Sequence, residues 1–105
     1  MDTACLDYVM TEAEKLSFEQ DGYLIVENAL TKDEADNVEE AMDRADMTYR
    51  PRMGLGPHDL LHVRDFAGKD PRFLELLTWK RTFPKVWGAL GWHIQLYLSH
   101  LNVTP

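Results

Sequence analysis

The feature that most constrains the fold of this chain is its final run, Trp92-His93-Ile94-Gln95-Leu96-Tyr97-Leu98-Ser99-His100-Leu101-Asn102-Val103. It reads as one long strand of mixed character. Successive side chains on a strand point to opposite faces. One face therefore carries Ile94, Leu96, Leu98, His100, Asn102 and Thr104, and the other carries His93, Gln95, Tyr97, Ser99, Leu101 and Val103. The first face turns from apolar to polar along its length, as a strand does on entering a binding cavity or on leaving a core. Both faces hold large apolar side chains, so the strand needs neighbours, and an unpaired edge of this kind seeks a partner. The isolated chain is expected to be marginal, self-associating through this terminal strand, or poorly soluble.

Ahead of that run the signals are mainly helical. Ser17 with Gln20 reads as a capping box, and Gly22 suits a left-handed helix end. Tyr23 to Glu27 reads as a strand rich in β-branched and aromatic residues. Thr31 with Glu34 forms a second capping box. Behind it Ala35, Val38, Ala41, Met42 and Ala45 recur at helical spacing, which predicts a helix over 32–46. Arg50-Pro51-Arg52 and Gly54-Leu55-Gly56-Pro57 should break regular structure and leave Met47 to Pro57 as a loop. Asp70-Pro71 opens a further helix with an N-cap and a first-turn proline, and Phe73, Leu76 and Leu77 supply its buried face. A last short helix around Pro84 to Leu90 should close at Gly91. The three tryptophans, Trp79, Trp87 and Trp92, read as core. Helices and strands in this arrangement give an α+β class.

Composition narrows the function. At 105 residues the chain suits one domain, with 1–15 as a flexible lead and 16–105 as the folded part. Its one cysteine, Cys5, rules out an internal disulfide framework and fits a reducing, cytoplasmic home. Met1 to Met10 lacks the basic start and apolar centre of a signal peptide. No apolar run nears the roughly 20 residues that span a bilayer. The net charge of −7 is unevenly spread: residues 1–46 hold fourteen acids and three bases, and residues 47–105 hold four acids and eight bases. The first half would repel phosphates and anionic membranes. The second lacks a basic stripe interleaved with stacking aromatics, so neither nucleic acid nor membrane is an expected partner.

Local motifs for chemistry are few. His58-Asp59-Leu60-Leu61-His62 spaces two histidines as a zinc-protease helix does, but Asp59 is one methylene shorter than the usual glutamate. Its plainer reading is a loop or strand with one histidine exposed and Leu60 and Leu61 in the core. A metal site at His58 and His62 stays open as an alternative. His93 and His100 fall on opposite strand faces and cannot share a metal within one strand. Gly54-Leu55-Gly56 is not a phosphate loop.

Two segments carry a family resemblance. Leu16-Ser17-Phe18-Glu19-Gln20-Asp21-Gly22-Tyr23-Leu24-Ile25-Val26-Glu27-Asn28-Ala29-Leu30 resembles the opening of the phytanoyl-CoA dioxygenase family, and Leu90 to Pro105 resembles the stretch just ahead of that family's catalytic centre. The likeness covers about residues 16–105. It implies the N-terminal helices and first strands of a double-stranded β-helix, a jelly-roll, cupin-like oxygenase fold that is incomplete in this chain. It implies a parent enzyme that uses Fe(II) and 2-oxoglutarate to hydroxylate a small or acyl substrate. The family binds iron through a His-x-Asp pair and a distant histidine, and no His-x-Asp occurs here. The chain alone is therefore expected to lack the metal ligands, to bind no cofactor and to be inactive. By resemblance, Asn102 and Thr104 sit where relatives contact the co-substrate, although Thr104 cannot pair with a carboxylate as a lysine would. Leu98 and His100 would face the substrate, and Arg50 and Arg52 in the 47–57 loop would meet an acidic one. The competing expectation is a non-catalytic small α/β protein that dimerises or binds a partner through the 92–103 edge.

Overall fold

The computed structural model describes residues 2–105. In chain order a 3-10 helix, Thr3–Tyr8, precedes α1 (Glu12–Asp21), α2 (Lys32–Arg52), β1 (Leu61–Arg64), a single 3-10 turn at Phe66–Gly68, α3 (Pro71–Leu77), α4 (Phe83–Leu90) and β2 (His100–Val103). The class is α+β. Among the described residues the one sheet is β1 paired antiparallel with β2, and no helix is long and apolar enough to cross a membrane. The chain divides into two compact units, one running to Ala29 and including Leu77–Gln95, the other made of Leu30–Leu76 and Leu96–Pro105.

In the first unit Asp2 starts the 3-10 helix by accepting the Ala4 N–H at 3.0 Å. Cys5 and Met10 are buried. Residues 3–15, expected as a lead, thus carry this helix and the first turn of α1. The capping box of α1 is not at Ser17. Thr11 Oγ1 accepts the Glu14 N–H at 3.2 Å, and the Glu14 carboxylate accepts the Thr11 N–H at 2.8 Å. Both pairs have the right spacing, but the helix begins six residues earlier, and the Ser17 hydroxyl donates within it to Asp21 at 3.1 Å. Gly22 ends α1 at φ +80°, as expected, with its N–H on the Phe18 carbonyl.

Tyr23 to Glu27 is not a strand. Leu24 and Val26 turn inward while Tyr23 and Ile25 are exposed, which is strand-like alternation, but among the described residues no neighbouring backbone forms a ladder with it. Of the tryptophans, Trp79 donates its indole N–H to the Ala29 carbonyl at 2.6 Å. Trp87 and Trp92 meet edge to face at 4.6 Å, and Trp92 is 81% exposed, so it is no core residue. Gly91 ends α4 as expected.

The second unit holds the main apolar core. Thr31 and Glu34 cap α2 reciprocally, as predicted. Val38, Ala41, Met42, Ala45 and Tyr49 form its inner stripe, and Ala41 and Ala45 are small enough to let Leu61, Val63, Phe73 and Leu101 pack closely against it. The helix outruns its predicted end, continuing through Pro51 to Arg52. Proline there has no N–H to give the Met47 carbonyl, so the helix runs on for only one more residue. Three residues later Gly54, at φ +68°, closes a Schellman motif: its N–H bonds the Pro51 carbonyl and the Leu55 N–H bonds that of Arg50. Asp70 caps α3 as predicted, accepting the Arg72 N–H at 2.9 Å.

The long strand over 92–103 is reduced to its last four residues. Its partner β1 is itself four residues long and ends where Asp65 turns the chain at φ +53°. Beyond that point the Asp65 N–H still reaches the Ser99 carbonyl at 2.7 Å, but among the described residues the ladder goes no further.

Candidate functional site

The ribbon has two unlike faces because its short strands alternate strictly. Leu61, Val63 and Leu101 are buried against the core, and Val103 is half-buried beside them. The opposite face presents His62, Arg64, His100 and Asn102, with His62 opposite Asn102 and Arg64 opposite His100. Leu60, expected in the core beside Leu61, is 53% exposed while Leu61 is fully buried. Only one of the two can face inward, since they are adjacent in an extended chain.

On the polar face the side chains touch. His62 Nδ1–H donates to Asn102 Oδ1 at 2.6 Å. The rings of His62 and His100 meet edge to face with centroids 4.6 Å apart. In the neutral imidazole the Asn102 bond puts the His62 proton on Nδ1 and the lone pair on Nε2. The structure thus brings His100 and Asn102 together and adds His62, whose pairing the sequence did not reveal. The signal available was the four-residue alternation Leu61-His62-Val63-Arg64, too short to separate strand from loop.

The remaining expected residues lie elsewhere. Thr104 is exposed just past β2. Leu98 is exposed and precedes β2 without joining it. Arg52 belongs to the last turn of α2 rather than to a loop, and its guanidinium lies 5.9 Å from the Tyr49 ring centroid. Arg50 is committed internally, to Asp46 at 2.8 Å and to the carbonyls of Gly56 at 2.7 Å and Asp59 at 2.6 Å, so it is not offered to a substrate. His58 lies in the turn before β1, not on a helix with His62. Among the described residues no three His, Cys, Asp or Glu side chains are grouped to hold a metal ion.

The carboxyls of Glu14 and Asp70 are held below their usual range, and both serve the scaffold. Lys85, then the Thr11 N–H, keeps Glu14 ionised. The Arg72 N–H, then Arg44 at 3.0 Å, does the same for Asp70. The first unit also contains an apolar cleft of about 320 Å³ lined by Phe18, Leu24, Val26, Val86 and Leu90, with Lys85 at its wall. Comparison with family models, curated proteins and solved structures gives no match to this chain.

Proposed function

We propose that this chain forms the N-terminal part of an Fe(II)- and 2-oxoglutarate-dependent dioxygenase of the phytanoyl-CoA dioxygenase type, acting on a small or acyl substrate in the cytoplasm. The polar face of the β1–β2 ribbon is then one wall of its cavity. The observation that carries this reading is the division between the ribbon's faces: α2 covers Leu61, Val63 and Leu101, while His62, Arg64, His100 and Asn102 are left uncovered on the other side. A jelly-roll sheet likewise packs one face on apolar side chains and turns the other to a ligand cavity. The resemblance of Leu16–Leu30 and Leu90–Pro105 to that family supplies the choice of chemistry. The grouped residues do not fit an iron triad, since among the described residues no carboxylate joins the two histidines. Their roles in this reading are binding and wall-forming alone, with Asn102 and Thr104 toward the co-substrate and Leu98 and His100 toward the substrate.

A second reading rests on Tyr97, which is 91% exposed between the exposed Leu96 and Leu98. This apolar segment, next to β2, would serve a non-catalytic protein that pairs with a second copy. The intact mass of the native gene product separates the two. A mass well above 12.2 kDa, with His-x-Asp soon after Pro105 in the reading frame, is expected for the oxygenase. A product of 12.2 kDa that sediments as a dimer would overturn it in favour of the second.

A further inference from the structure

The His58-to-His62 spacing suggests a metal pair on a helix, but the fold gives His62 a different partner. His62 and His100 come from opposite strands of the ribbon, share its outer face and bring their ring centroids to 4.6 Å. Two imidazoles bound to one ion through nitrogens at about 2.0–2.1 Å place their ring centres roughly 4.5–5 Å apart, depending on the angle at the metal. The spacing is within that range, and the rings, which meet edge to face at 67°, would have to turn to aim a nitrogen of each at one ion. His62 is also held as a metal-ligating histidine is held: its Nδ1–H donates to the Asn102 amide oxygen at 2.6 Å, which in the neutral ring selects the tautomer whose Nε2 can bind a metal. Both side chains are reachable from solvent.

We propose that His62 and His100 form a two-histidine site for a divalent cation of the copper, nickel and zinc class, with Asn102 as the positioning residue and water completing the coordination. Imidazole nitrogens suit these ions, and the order of affinity should be Cu²⁺ above Ni²⁺ and Zn²⁺. Hard, oxygen-seeking ions such as Mg²⁺ and Ca²⁺ are not favoured. Arg64, on the same face opposite His100, opposes the bound charge and limits affinity. The site does not depend on the oxygenase reading, because it uses only side chains of this chain.

The test is calorimetric titration of the 105-residue chain with Cu²⁺, and separately with Zn²⁺, followed by proton NMR of the histidine rings. One equivalent should bind, Cu²⁺ more tightly than Zn²⁺. His62→Ala and His100→Ala should each weaken binding at least about 10-fold, and Asn102→Ala by roughly 10-fold at unchanged stoichiometry. His58→Ala and His93→Ala should bind as the wild type does. In the wild-type chain, which needs no variant to fold, substoichiometric Cu²⁺ should broaden the His62 and His100 ring signals before those of His58 and His93. Binding that survives in both the His62 and His100 variants, or broadening that begins at His58 or His93, would overturn the proposal.

Discussion

At Arg50 one guanidinium ties the end of α2 to the turn that precedes β1. It bonds Asp46 one helical turn back and the carbonyls of Gly56 and Asp59 ahead, while Asp59 in turn accepts the Gly56 N–H at 2.7 Å. Removing it leaves two carbonyls and a carboxylate without their donor. Arg50→Ala should therefore lower unfolding free energy by about 2–3 kcal/mol in urea titrations, and Arg50→Lys should recover only part, because an ammonium lacks the planar fork. Glu14 gives a pH signature. Its folded carboxyl titrates below its ordinary value of 4.5, so its contribution is fully present above that value. It is lost as pH falls through the lower folded value. The pair is partly exposed, so the effect should stay under about 1 kcal/mol. Glu14→Gln should flatten this part of the acid limb when stability is compared at pH 7 and pH 3, and an unchanged limb would remove Glu14 from the acid response.

Between elements, the approach of α4 to Met10, just past the Thr3–Tyr8 helix, turns on one glycine. A Cβ on Gly88 would lie 2.9 Å from the Met10 Cβ, and Met10 is buried. Alanine in a helix gains about 1 kcal/mol over glycine, but overpacking costs about 1–3 kcal/mol. The Met10 Cβ sits next to its backbone and cannot swing aside as a side-chain tip does. Gly88→Ala should therefore lower the urea midpoint; a raised midpoint would mean that α4 moves freely away from Met10. Elements with local signals were legible in the sequence: the Thr31–Glu34 box, the Asp70-Pro71 start, and the ends at Gly22 and Gly91 are all where those residues put them. The strands were legible only in part. A ladder depends on a distant backbone, so Tyr23 to Glu27 keeps its alternation without a partner, and 92–103 is trimmed to the length that β1 can pair. The site was half legible for the same reason. Period-two spacing put His100 and Asn102 on one face, but only the register of β1 against β2 puts His62 beside them.

Across the whole molecule, two units are built from interleaved stretches of chain, and each closes on residues far apart in sequence. In the first, Lys85 of α4 reaches the carboxylate of Glu14 at 2.7 Å. In the second, β2 completes a core begun by α2, and its outward face supplies the polar cluster. The proposed function stands or falls on that cluster facing a co-substrate. The most direct measurement is 2-oxoglutarate turnover by the native gene product, read as succinate released over a range of 2-oxoglutarate concentrations, with Asn102→Ala beside the wild type. Succinate should form, and the variant should raise the KM for 2-oxoglutarate about 10-fold, the loss of one good hydrogen bond, while its circular dichroism stays that of the wild type. No succinate from the wild type, or an unchanged KM in a folded Asn102→Ala protein, would contradict the assignment of this face.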